Sequence, residues 1–339
     1  MVKKKKTIIK KNQLKKRSLL QVISLQLIKI FALLRFTLVG SRLIWEQTPL
    51  NWKFQKLLVR LSILYSLLQL KIQVVSFAGM ALTTPGKMLI EQLWRYPVKS
   101  LQGEKLESTE VTDVIPGDRN WGIVDLKTNL LLSAKRVPKL LEGHARIIGE
   151  HCIITIGRNE LSSQEVNIDQ KLSEWLEKEV TLTQPVAGQT KGIEIEWDDG
   201  SDEILDNPDV FEFSTSPGWF FDSSSSLHLI GTATLELLEK RVGKGSGDVR
   251  RFRPNIVVKT EEPFEENGWV DQHLDIGTVR IHVRKRTDRC VVITRAFDQH
   301  QASRATLRYL SENHDREAGI SMSPVSSGVI SVGDLVEIS

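Results

Sequence analysis

"GTVRIHVRKRTDRCVVITR", Gly277 to Arg295, is the stretch whose reading decides the fold. Val279, Ile281 and Val283 alternate with Arg280, His282 and Arg284. A period of two places the apolar set on one face and the polar set on the other, so the segment predicts a half-buried strand. The apolar run "VVIT" after it predicts a second strand, with Cys290 where one turns into the next. Two readings of Cys290 stand side by side. A free thiol packs as a small hydrophobe and stays inert when buried. Neighbouring Lys285, Arg286 and Arg289 favour the thiolate instead.

Working outward, "MLIEQLWRY" from Met88, "VTDVIPGDRNWGIVD" from Val111, "HCIITIG" from His151 and "GIEIEW" from Gly192 are further strand candidates, separated by turn residues. Leucines at helical spacing predict helices over Asp169 to Val180, Thr232 to Val242 and Ser303 to Asn313. Strands outnumber helices and do not alternate with them regularly. The expected class is therefore strand-rich α+β with β-barrel-like domains, in preference to a doubly wound parallel sheet. The Gly, Asp and Ser-rich zone Asp198 to Ser226 is the expected boundary or crossing loop.

Composition narrows the chemistry. The two cysteines exclude a disulfide framework, a four-thiolate zinc site and a protein-bound iron-sulfur cluster. The seven histidines show no H-E-x-x-H spacing. Net charge is +4, but Met1 to Lys87 carries 17 Lys plus Arg against one acid, Glu46, and the remainder is net −12. Three readings of residues 1–87 are open: a basic targeting or membrane-surface arm, a marginal anchor around Leu19 to Gly40, or an upstream extension of a gene whose start is Met88. The third is favoured, because the globular pattern begins abruptly at Met88. Membrane association is expected only through residues 1–87. Location follows the same choice: cytoplasmic if Met88 is the start, otherwise membrane-associated or organelle-targeted. The acidic remainder carries no nucleic-acid motif, so no nucleic-acid partner is expected for it.

Four segments stand out together: "PVKS" ending at Lys99 and Ser100, "GDRNW" with Arg119, "RRFRPN" with Arg253 and Asn255, and "TDRC" ending at Cys290. With "LLSAKRVPKL", "IGTVRIHV" and the terminal "GVISVGDLVEIS", they resemble the MOSC domain family, in its two-part branch with the mitochondrial amidoxime-reducing component and bacterial relatives. The resemblance covers Met88 to Ser339. It implies a MOSC N-terminal β-barrel domain over 88–207 and a MOSC β-barrel domain over 208–339, and leaves 1–87 as the basic N-terminal extension. It implies a molybdenum cofactor (Mo-molybdopterin) whose metal takes the Cys290 thiolate, the one residue given a catalytic role. Lys99, Ser100, Arg119, Arg253, Asn255, Asp288 and Arg289 would hold the phosphate and pterin edges, with Asp222 and Ser225 near a further pterin contact. At family level alone it also carries pyridoxal phosphate binding.

The implied activity is reduction of small N-hydroxylated or N-oxygenated compounds. Electrons would come from a separate donor protein of ferredoxin, flavodoxin or cytochrome type, since the chain lacks cysteines for a cluster. The alternative is a non-enzymatic carrier of the cofactor or of sulfur. The stretch after "TRAFDQHQA" departs from the family's usual text, so access loops are expected to differ. Cys152, in a predicted strand without a basic cluster, is expected to be a core thiol.

Overall fold

The computed structural model describes residues 36–39, 42–45, 87–186, 189–195, 209–214, 220 and 225–339. The chain forms two compact units, Met1–Thr84 and Pro85–Ser339. In the first, Phe36–Val39 pairs antiparallel with Arg42–Trp45. Most of residues 1–87 lies outside the described residues, including all of the Leu19 to Gly40 anchor reading except Phe36–Val39, which is a strand. Among the described residues no helix is long and apolar enough to cross a membrane.

The second unit is strand-rich. In chain order its elements are β1 Ile90–Arg95, β2 Glu104–Leu106, β3 Ser108–Val111, β4 Gly122–Asp125, β5 Gly143–Ile148, β6 His151–Ile156, β7 Asn159–Ser162, α1 Ile168–Leu176, β8 Val180–Thr183, β9 Thr190–Ile195, β10 Asp209–Ser214 and β11 Leu227–Gly231. There follow α2 Thr232–Val242, α3 Val249–Phe252, β12 Ile256–Val258, β13 His273–Ile276, β14 Val279–Asp288, α4 Ala305–Asn313, β15 Glu317–Pro324, β16 Gly328–Ser331 and β17 Val336–Ile338.

The opening stretch is β14, and it folds as its alternation requires. Val279, Ile281 and Val283 are buried, while Arg280 and Arg284 face solvent. Each buried aliphatic side chain contributes about 1.5–3 kcal/mol. Beyond Val283 the register against β15 shifts twice, leaving Arg284, Lys285 and Arg286 all exposed. Such bulges bend a strand and re-aim its side chains, and this bend leads to Cys290.

The main sheet runs β17-β13-β14-β15-β11-β12-β1-β2. Its one parallel pair, β11 with β12, is joined through α2 and α3, the crossover that parallel neighbours need. The β17 edge meets the start of β1, the strand next to the other end: Ile90 N donates to Asp334 O at 2.9 Å and Val336 N to Met88 O at 2.9 Å, around a single Leu89–Leu335 bridge. The sheet thus curls until β17 touches β1, short of a continuous closed ladder. One core lies within this curl, lined by Leu93, Leu229, Ile256, Ile281 and Met322. A second packs α1 against the β5-β6-β7 sheet.

Two boundaries differ from the periodicity. The first helix stops at Leu176, where Glu177 takes a left-handed conformation (φ 56°) and Val180 starts β8 against Asp125. Ser173 Oγ accepts from Val180 N at 3.0 Å and so ties the new strand to the helix it leaves. The run "VVIT" is a 3-10 turn, Val291–Thr294, and not a strand. Thr294 Oγ1 closes it on Val291 O at 2.7 Å, and a run of three apolar residues and a threonine is too short for periodicity to decide.

Cys152, on β6, is fully buried, and burial pushes its thiol up to about 12. Cys152→Ser places a hydroxyl in that apolar site and is expected to cost ~1–3 kcal/mol. A lower urea midpoint at unchanged slope is the measurement.

Candidate functional site

The four segments meet at one pocket of about 250 Å³. "PVKS" follows β1 and supplies Lys99 and Ser100; Arg119 precedes β4. Arg253 follows α3, and Asp288, Arg289 and Cys290 close β14. Ser225, ahead of β11, lines the same space.

Three of these residues sit in strained backbone. Ser100 (φ 71°), Arg119 (φ 49°) and Arg253 (φ 52°) are left-handed without being glycine. Such a conformation costs of order 1–3 kcal/mol and persists only where surroundings over-determine it. Arg253 also precedes Pro254, whose ring restricts it further. The surroundings are specific: Arg119 N donates to Tyr96 O at 2.8 Å, Arg253 N to Val249 O at 3.1 Å, and Ser100 Oγ accepts from Ala134 N at 3.0 Å.

Tyr96 is the centre that sequence reading passed over. Its buried ring lies under two guanidinium groups, Arg253 at 4.4 Å and Arg119 at 4.7 Å from the centroid. Burial raises its hydroxyl pKa, so the ring stays a neutral phenol whose face attracts cations. Tyr96 N donates to Asp118 Oδ1 at 2.7 Å, and Asp118 pairs with Arg119. Arg119 Nη2 reaches Arg253 O at 3.3 Å, and Arg253 Nη1 donates to Leu101 O. Burial, then the charge of Arg119, pulls Arg253 down to about 10. It stays protonated at neutral pH.

Arg289 faces inward. Its Nε donates to Ala318 O at 2.8 Å and Nη1 to Phe252 O at 3.0 Å, while Nη2 meets Ala318 O and His228 Nε2. Burial lowers it to about 10. Gly319 (φ 73°) makes this approach possible, because a Cβ there would lie 2.7 Å from His228 Nε2. Arg289 therefore pins the backbone just before Cys290 to the C-terminal end of α3 and to β15.

Burial, then Arg289 and Arg119, hold His228 well below its usual pKa, so it is neutral in the fold. The unfolded chain takes up a proton near pH 6.5 that the native state refuses. The His228 contribution to stability is thus complete above pH 6.5 and falls on acidification below it, by up to about 1.4 kcal/mol per pH unit. His228→Gln is expected to flatten that part of the slope. Urea titrations of both proteins at several pH values between 5 and 7.5 measure it.

Cys290 is partly exposed and lines the pocket. Asp288 lines it as well, but its carboxylate is held by Arg316 at 2.9 and 3.1 Å. Asn255 is absent from the lining and fully buried. Its Oδ1 accepts from His228 N at 3.2 Å and its Nδ2 donates to Trp94 O at 3.3 Å, joining β11 to β1. Asp222 lies outside the described residues. Ser133, Lys135 and Arg251 line the pocket without having been singled out, although the first two belong to the quoted "LLSAKRVPKL". Arg251 is spent on backbone, donating to Gly245 O at 2.6 Å and Ile293 O at 3.0 Å.

The donor set suits one kind of guest. A partly exposed thiol is the soft ligand, several cations surround it, and the buried Ser133 hydroxyl has no hydrogen-bond partner. An anionic, phosphate-bearing group that carries a soft metal fits these residues.

Comparison with known proteins agrees with this pattern. The family profile described as MOSC N-terminal beta barrel domain matches residues 87–195, and the MOSC domain profile matches 216–337. A protein named molybdenum cofactor sulfurase from Danio rerio is 42% identical over 66 residues, 19% of this chain and 8% of that protein. One of the same name from Drosophila grimshawi is 28% identical over 222 residues, 60% of this chain and 27% of that protein. The chain thus spans a minor part of either relative. Among solved structures, the YUAD protein from Bacillus subtilis aligns at TM-score 0.37 and 8% identity, over 75% of this chain and 97% of that one. YiiM from Geobacillus stearothermophilus aligns at TM-score 0.25 and 13% identity, over 34% and 54%. At such scores the structural likeness adds nothing to the assignment. With both profiles matched in tandem over more than half of its length, the chain belongs to the MOSC domain family in its two-part arrangement.

Proposed function

We propose that the Pro85–Ser339 unit holds a molybdenum cofactor in the Cys290 pocket and serves as a reductase of N-hydroxylated or otherwise N-oxygenated compounds, with electrons from a separate donor protein. The observation that carries this reading is the pairing of one accessible thiol with a cationic lining drawn from both family regions. Bound there, the cofactor would supply the two-electron chemistry that cleaves a nitrogen–oxygen bond. The chain's own contribution is to bind and orient. Cys290 would be the protein's ligand to the metal, since a soft thiolate suits it. Lys99, Arg119 and Arg253 would face the phosphate and polar pterin edges, with Ser100 and Ser225 beside them. Arg289 and Asn255 would act at one remove, by fixing the Cys290 loop and the β11–β1 junction.

A second reading draws on the relatives' printed name for its link to the cofactor and its sulfur: the unit carries one or the other and does not itself reduce an N-oxygenated compound. One experiment separates the two. Protein from a cofactor-competent host is analysed for molybdenum and pterin, then assayed with a chemical reductant and a simple amidoxime. Stoichiometric cofactor with turnover is the expected result. Cofactor without turnover leaves the carrier reading, and protein free of both molybdenum and pterin removes both.

A further inference from the structure

The turn that carries Ser133 and Lys135 contributes to the pocket in a way the motif residues do not. Ser133 is 5% exposed, lines the pocket, and its Oγ has no partner. A serine opening a turn ordinarily satisfies its hydroxyl on a nearby amide. Here the amides are taken elsewhere: Arg136 N and Val137 N donate to Ser133 O at 3.1 and 2.8 Å, and Ala134 N to Ser100 Oγ at 3.0 Å. A buried hydroxyl left open costs stability unless a ligand completes it.

Lys135 adds charge to the same place. Its ammonium and its own amide have no partner among the described residues. Its carbonyl accepts from Arg295 Nη2 at 3.0 Å, which fixes the turn against the segment after Cys290. The other cations in the lining behave differently: Arg251 and Arg289 are committed to carbonyls, Arg119 to Asp118, Arg253 to Leu101 O and Lys99 to Phe220 O at 3.2 Å.

We infer that Ser133 and Lys135 form an anion subsite in the pocket, the hydroxyl and the ammonium donating to one oxyanion of the phosphate or carboxylate class. The inference rests on the cofactor reading only for the source of that anion. The source is either the cofactor's own phosphate or an acidic group on the substrate.

The test is calorimetric titration of the full-length chain, freed of cofactor, with inorganic phosphate. Lys135→Gln is expected to weaken binding about tenfold or more, and Ser133→Ala about threefold. Lys139→Gln, a nearby cation paired with Glu177 outside the pocket, is expected to stay within about twofold. Absence of saturable binding in the parent overturns the subsite. So do Ser133 and Lys135 variants that bind like the parent, or a Lys139 variant that weakens as much as they do.

A second arm repeats the titration on cofactor-loaded protein. Phosphate excluded by the cofactor identifies the cofactor's phosphate as the natural occupant, and phosphate still bound identifies a substrate acid. Both results support the subsite. Molybdenum and pterin content is measured separately, so a failed cofactor reading leaves the phosphate titration readable by itself.

Discussion

Cys290→Ser is expected to lower amidoxime reduction on the order of 10³-fold or more, the scale on which loss of an essential group acts. The substitution exchanges a soft thiolate for a hard hydroxyl that does not ionise at neutral pH. The fold has little stake in this side chain, which is partly exposed and caps no amide. Stability is therefore expected to change by no more than about 0.5 kcal/mol. Molybdenum per mole of protein should fall while some pterin persists, because the cationic lining is intact. The assay uses a chemical reductant, so the identity of the donor protein does not enter. If Cys290→Ser reduces the amidoxime as fast as the parent, the thiol is no metal ligand and the assignment of the metal to Cys290 is lost.

Arg253→Ala carries the second large effect, on two readouts at once. The guanidinium is half-buried, donates to Leu101 O and stacks on Tyr96. Its removal is expected to cost about 2–5 kcal/mol in unfolding free energy, from a charge-assisted hydrogen bond plus a desolvated cation–π contact. Pterin retained after gel filtration should fall by about one to two decades in affinity. Arg253→Lys keeps the charge and loses the planar fork, so partial recovery of retention without recovery of stability would assign the two effects to charge and stacking. Lys99→Ala is the companion: half-buried, with a 3.2 Å bond to Phe220 O, it should lose retention at a stability cost of about 1 kcal/mol. Unchanged pterin in both alanine variants would show that these cations do not hold it.

What the sequence made legible followed from local rules. The alternation in "VRIHV" is the burial pattern of β14, and α2 spans Thr232–Val242 as its leucines and flanking glycines indicate. The four motifs were recognisable from residue type and order, and they do meet. The bonds that give each residue its task were not legible. Arg289 and Arg251 look like anion partners in the chain, yet their nitrogens are committed to carbonyls, and a carbonyl has no sequence signature. Tyr96 was visible beside "PVKS", but its use as a platform depends on two arginines more than twenty residues away that only the fold brings over it. The open hydroxyl of Ser133 is a statement about where neighbouring amides went, which no single residue encodes. Asn255 shows the converse: a motif residue whose place is the junction of strands, away from the pocket wall.

The pairing of β1 with β12 has a consequence for how the chain is made. Asn255 and Trp94, which lock these strands together, are 161 residues apart along the chain. At a ribosome's pace of about 5–20 residues per second, β1 leaves the exit tunnel roughly 10–30 s before its partner exists. Contacts of such long sequence separation form late, because loop closure precedes their reward. During that interval the edge of "IEQLWR" that β12 will pair has no partner, although β2 is already available to the other edge, and such an open edge is one on which nascent chains aggregate. Glu91 and Arg95 in the same strand supply the charge that discourages such pairing until β12 arrives.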